Sequence, residues 1–182
     1  MIKLSDNPPV VPDGIESLHD IAGDWWVAHT RARAEKAFAF DLLAHNVPYF
    51  LPLAKKTAIW GGRKRTILIP LFPSYVFFCG NADVRYTAFA TNRLANVIPV
   101  SQRGQFVTEL DAIRLAIGEK FEMDLHPFAV IGQRCRITCG KMQGTEGTII
   151  RKDGSTRLVL QVSMLGQGAW IEVPPDYLEP VE

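Results

Sequence analysis

Leu71-Phe72-Pro73-Ser74-Tyr75-Val76-Phe77-Phe78 is the stretch on which the reading of this chain turns. From Ser74 onward it is β-branched and aromatic, as a strand requires. Pro73 lacks an N–H and fixes its own φ, which places it at a strand start or on an edge. A half-buried strand alternates apolar and polar side chains, but here neighbours on both faces are apolar. One face can then fill a core while the other is left for a partner, since an exposed aromatic patch marks a protein-binding surface. A central strand covered on both sides fits the same residues equally well.

Working outward, Thr57–Trp60 and Thr66–Pro70 flank Gly61-Gly62-Arg63-Lys64-Arg65, which predicts a hairpin with a basic tip. Trp25–Thr30 reads as a first strand. Ala32–Asn46 reads as a helix whose buried stripe is Ala37, Phe40, Ala44 and Val47, widened by Phe38 and Leu42. Asn46 and Pro48 stop it. Asp83–Asn92 predicts a short helix and Ala95–Val100 a strand. Thr108 is the expected N-cap of a last helix ending near Gly118. Residues 120–131, with His126-Pro127, read as a linker. Beyond it, short β runs at Arg134–Thr138, Gly147–Lys152, Arg157–Val162, Ala169–Val173 and Tyr177-Leu178 are punctuated by glycines. That pattern predicts a small five-stranded barrel. The mixture without repeated βαβ units is α+β with an antiparallel N-terminal sheet flanked by helices.

Composition narrows the class. The 182 residues suffice for one medium or two small domains, and no run of 18 apolar residues exists to cross a membrane. Residues 1–23, acidic and holding Pro8, Pro9 and Pro12, are wrong for a secretory signal and read as a flexible leader. The odd count of three cysteines, Cys79, Cys135 and Cys139, fits a reducing cytoplasm. Cys135, Cys139 and His126 lack a second ligand pair, so no metal site is expected. No phosphate loop, paired-histidine or nucleophile motif is present, which argues against an enzyme and for no cofactor. Net charge is +1, yet Trp25–Tyr75 holds eight Lys/Arg against two acids. Such a segment suits phosphates or an acidic protein face.

The aromatic stretch, the Trp25–Thr30 strand and Gly140-Lys141-Met142-Gln143-Gly144-Thr145-Glu146-Gly147 occur in the order seen in the NusG family of transcription elongation and antitermination factors, which the chain resembles from Asp24 to Glu182. The resemblance implies a NusG-type N-terminal domain over 24–119 and, over 132–182, an SH3-like KOW barrel with its turn at Gly140, Gly144 and Gly147. Glycine there supplies positive φ or close backbone approach. The short stretch from the first helix to Pro52 is similar to specialised RfaH-like paralogues. By the resemblance, Trp26, Ala28, Leu71, Phe72, Pro73, Tyr75 and Phe77 meet the clamp of RNA polymerase, with Phe72-Pro73-x-Tyr75 carrying the family pattern. His29 stands where some specialised members use an aromatic. Arg85, Tyr86 and Thr87 fall near a second polymerase contact. Arg31, Arg33, Lys36, Lys64 and Arg65 are implied to face upstream or nontemplate DNA. The KOW unit is implied to recruit the ribosome or a termination factor. An RNA- or ribosome-binding KOW protein is the alternative reading.

Overall fold

The computed structural model describes residues 6–126, 132–152 and 154–181, apart from the side chains of Trp60 and Lys152. It divides into two compact units, residues 1–103 and 104–182. Among the described residues no helix is long and apolar enough to cross a membrane.

The first unit is built on a four-stranded antiparallel sheet. Its strands are β1 (Trp25–Thr30), β2 (Tyr49–Phe50), β5 (Tyr75–Cys79) and β6 (Leu94–Pro99), in the order β2-β5-β1-β6. Two helices, α1 (Glu35–Ala44) and α2 (Ala82–Ala90), complete it; Asn81 caps α2 by accepting the Val84 N–H at 3.0 Å. Strands β3 (Leu53–Trp60) and β4 (Arg63–Pro70) form a separate two-stranded hairpin. Its turn is Gly61-Gly62 alone, with φ of 57° and 75°, the left-handed pair that a two-residue hairpin turn demands. The expected basic tip is therefore not loop: Arg63, Lys64 and Arg65 lie within β4.

The buried face of α1 differs from the expected stripe. Phe38, Ala39 and Leu42 are buried, whereas Phe40 and Ala44 are exposed. The helix is apolar on several sides, and the sheet selects the stripe that sets Phe38 edge-on against Phe78, ring centroids 6.0 Å apart. Ala28, Val76 and Phe78 of the sheet share that core with Leu51 and Val97. The N-terminal segment is also not a free leader from residue 6 on. Leu18 is fully buried in a 3-10 turn (Leu18–Asp20), the Tyr49 hydroxyl donates to the Pro9 carbonyl at 2.9 Å, and the Leu51 N–H donates to that of Val10 at 2.8 Å. Apolar anchors at Leu18 and Ile21 hold an otherwise acidic strap. Residues 1–5 lie outside the described residues.

The second unit begins with α3 (Arg103–Gly118). Thr108 does not cap it. The helix starts five residues earlier, and the Thr108 hydroxyl instead donates to the Gly104 carbonyl at 3.0 Å inside the helix. Within 120–131, β7 (Met123–His126) is a strand, antiparallel to β11 (Gln167–Glu172), which otherwise would present an unpaired edge. Residues 127–131 lie outside the described residues. With β8 (Arg134–Ile137), β9 (Glu146–Lys152), β10 (Ser155–Val162) and β12 (Leu178–Pro180), these make one antiparallel sheet, β12-β8-β9-β10-β11-β7. It has six strands where five were expected, and among the described residues its end strands do not pair to close a barrel. Leu158, Leu160, Val162 and Ile171 are fully or almost fully buried in its core.

Candidate partner-binding site

Register assigns the aromatic residues to faces. Trp26 opposes Phe78 and Ala28 opposes Val76, while Val27 opposes Phe77 and His29 opposes Tyr75. Opposed residues share a face and neighbours along a strand do not. The first set faces α1. On the other face Phe77 is fully buried, stacked on Phe50 at 6.2 Å and edge-on to Phe72 at 6.2 Å. Phe72 and Ala28 are likewise 0% exposed, and Leu71 is buried. The strand is thus covered on both sides, the second of the two arrangements its sequence allowed. Bulk apolar side chains on both faces of a central strand draw cover to both.

What remains accessible is smaller. Tyr75 is half-buried and stacks on the half-buried His29, ring centroids 5.2 Å apart and planes at 25°; Pro73 beside them is exposed. The turn that presents them is tightly held. Ser74 adopts φ 66°, its N–H donates to the buried carboxylate of Glu35 at 2.7 Å, and its carbonyl accepts the Thr30 N–H at 2.8 Å. A left-handed non-glycine residue persists only where its surroundings over-determine it. Glu35 supplies that constraint, and the sequence reading passed it over. Its one signal was an acid standing alone among Arg31, Arg33 and Lys36.

The remaining predicted residues sit on other surfaces. Trp26, on the α1 face, donates its indole N–H to the Gly80 carbonyl at 3.0 Å. The Arg85 guanidinium lies over Trp26 at 5.2 Å and over Phe89 at 5.7 Å, a cation–π bracket. Phe89 was not foreseen there. Next to it Tyr86 is 78% exposed, whereas the Thr87 hydroxyl is spent on the Asp83 carbonyl at 3.0 Å. Trp26 is therefore brought together with Arg85, and His29 with Tyr75, on opposite faces of the sheet.

The cations divide too. Arg31 and Arg33 are exposed on the connection to α1. Lys36 donates to the Leu68 carbonyl of β4 at 2.6 Å, and burial lowers its pKa. That bond ties α1 to the hairpin. Lys64 is exposed and Arg65 half-buried.

In the second unit the three glycines have different reasons. Gly140 and Gly144 have φ of 79° and 87°, with open space where a Cβ would go. At Gly147 a Cβ would stand 2.6 Å from the Val159 carbonyl oxygen and 2.8 Å from Leu158 Cγ, so backbone approach decides it. Glu146 is bracketed by Arg134 and Arg136 at 2.8 and 2.7 Å, and the Arg136 hydrogen bond first of all lowers its pKa. Among the described residues no group of His, Cys, Asp and Glu is placed to hold a metal ion.

This arrangement has relatives. The model of the family described as transcription termination factor NusG matches residues 23–110. Residues 23–110 are a NusG-family domain. Members of that family are transcription factors and not enzymes. The fold is similar to that of Thermotoga maritima NusG, in a structure described for its domain interaction, at 19% identity and TM-score 0.50 over 87% of this chain and 97% of that one. A chain of the MjSpt4:Spt5 complex in conformation B is matched at 16% identity and TM-score 0.27, over 87% of this chain and 97% of that one. No curated protein matches the chain.

Proposed function

We propose that the protein is a transcription elongation and antitermination factor that works by binding RNA polymerase at its clamp. The observation that carries this reading is the His29–Tyr75 ring pair beside exposed Pro73, held by the Glu35–Ser74 bond, in a domain of the NusG family. A rigid, half-exposed aromatic pair on a pinned turn loses little entropy on docking, which suits the anchor of a protein contact. Phe72 and Phe77, both buried, belong to the fold and not to that surface. The exposed Tyr86 with the bracketed Arg85 would serve as a second contact. The second unit, as the KOW domain, would recruit a further partner, the ribosome or a termination factor, and the protein would act in the cytoplasm.

The test is binding of the full chain to core RNA polymerase. Wild type is expected to bind, and His29→Ala/Tyr75→Ala to lose at least tenfold while keeping its circular dichroism and staying folded at the assay temperature. Equal binding by the folded double variant would remove the ring pair from the interface. No binding by the wild type would transfer function to the second unit, and steeply salt-dependent binding of ribosomal RNA would then identify the alternative.

A further inference from the structure

The β3–β4 hairpin stands apart from the sheet of its unit. It pairs with no other strand among the described residues, so one edge of each strand is open there. Its base is rooted: Leu53 and Ala54 are buried, the Leu71 N–H donates to the Pro52 carbonyl at 2.8 Å, and Lys36 donates to the Leu68 carbonyl at 2.6 Å. Its outer part is bare. Ile59 is 72% exposed and Ile67 39%, and Thr57 and Thr66 are exposed opposite one another. Thr66-Ile67-Leu68-Ile69 is an uncharged run of β-branched and apolar residues. An open strand edge with such a run is a template on which another chain can add a strand.

Register assigns the cations to both faces. Opposed residues share a face and neighbours along a strand do not. Lys55, opposed to Leu68, and Lys64, opposed to Ile59, lie on one face; Lys56, opposed to Ile67, and Arg63, opposed to Trp60, lie on the other. Each strand thus carries one cation on each face. All four are exposed, and among the ion pairs of the described residues none uses them. No Asp or Glu occurs between Asp41 and Asp83, so neither strand offers an acid to a cation on an added copy. Cations split between two faces make no single contact surface for a ligand, but they meet a like-charged strand added at either edge on both of its faces. Arg63-Lys64-Arg65 and Pro70 also bracket the apolar run of β4, where charge and proline hinder strand addition.

We propose that this ribbon is a pairing surface for the same ribbon of a second copy of the chain, and that Lys55, Lys56, Arg63 and Lys64 keep it closed. A second copy fits because one open edge supplies the N–H and C=O groups that another lacks, and the exposed isoleucines would cover their counterparts. Like charges brought together across a ladder destabilise it. Four from each copy, with no acid to answer them, oppose the contact along the whole ribbon. The chain stays monomeric while holding an edge that would otherwise join copies. The inference does not rest on polymerase binding and is tested without polymerase.

The experiment is sedimentation velocity of the full chain at a concentration on the order of 100 μM, beside Lys55→Gln/Lys56→Gln/Arg63→Gln/Lys64→Gln. Wild type should sediment as a monomer of 20.3 kDa. The fourfold variant should at least double its weight-average mass while keeping its circular dichroism. Arg31→Gln/Arg33→Gln/Lys120→Gln/Arg151→Gln removes the same charge from exposed side chains elsewhere and should remain monomeric. Adding Ile59→Asn/Ile67→Asn to the fourfold variant should return it to the monomer. The proposal is overturned if the fourfold variant stays monomeric, if the charge-matched control associates to the same extent, or if the two asparagines leave the association intact. A wild type that already associates through the ribbon would show that the cations do not keep it closed.

Discussion

Truncating Phe72 and truncating Tyr75 should have opposite consequences, although both belong to the same aromatic motif. Phe72 is 0% exposed and packs edge-on against Phe77, itself 0% exposed. Phe72→Ala removes a whole buried ring and leaves a cavity, at a cost of about 3–5 kcal/mol. A domain of this size has only about 5–15 kcal/mol in hand. With a urea dependence of about 2 kcal/mol per molar, the midpoint should fall by about 1.5–2.5 M. Tyr75 is half-buried, and its ring touches His29 in a stack already open to water. Tyr75→Ala should cost about 1 kcal/mol, or about 0.5 M. Urea denaturation followed by tryptophan fluorescence reads both. The reasoning is refuted if Phe72→Ala unfolds within about 0.5 M of wild type, or if Tyr75→Ala falls as far as Phe72→Ala. Only Tyr75 and His29 are then valid probes of polymerase binding, because loss of binding by Phe72→Ala would report loss of the fold.

Three further outcomes are expected. Gly147→Ala drives a Cβ against the Val159 carbonyl and should destabilise the second unit by more than about 2 kcal/mol, while Gly144→Ala, strained only in φ, should cost about 1–2 kcal/mol; equal melting temperatures for the two would contradict this. Glu35→Gln keeps the shape but removes the charge from the bond to the Ser74 N–H, with an expected loss of about 1–2 kcal/mol and a wild-type-like Tyr75 environment by NMR only if the turn survives. Burial above all pushes the Cys79 thiol up to about 11, from 9.0, with Asp24 adding and Arg103 opposing. The folded state thus prefers the neutral thiol; that stability is full below pH 9 and is lost as pH climbs from 9 toward 11, so the stability gap between wild type and Cys79→Ala should narrow across that window and stay flat beneath it.

Element identity was largely legible because it is set locally. The β-branched run after Pro73, the helix stop at Asn46, and the glycine-punctuated C-terminal strands all fall within a few residues of their expected places. What failed were judgements that depend on distant partners. Met123–His126 is too short and too weakly apolar to announce a strand; it becomes one because β11 offers an unpaired backbone. Residues 6–23 look like a free acidic tail, yet Leu18 and Ile21 are buried and the segment is bonded through Pro9 and Val10 to Tyr49 and Leu51, far along the chain. The α1 stripe was ambiguous because Phe38/Leu42 and Phe40/Ala44 obey the same spacing, and only Phe78 across the interface breaks the tie.

The same division holds for the candidate site. The sequence by itself determined the chemistry available: an aromatic motif beside a proline, a run of cations without acids, and glycines in a barrel-like segment. It did so because composition, turn propensity and periodicity are properties of neighbours along the chain. Tertiary structure alone decided which of those groups lie at the surface. Burial on both faces of β5 took Phe72 and Phe77 inward, the Glu35–Ser74 bond turned Tyr75 outward onto His29, and the bond to Leu68 drew Lys36 away from solvent while the hairpin it anchors carried Lys55, Lys56, Arg63 and Lys64 into it. Exposure is a property of what packs against a residue, and that is fixed only when segments far apart in sequence have come together.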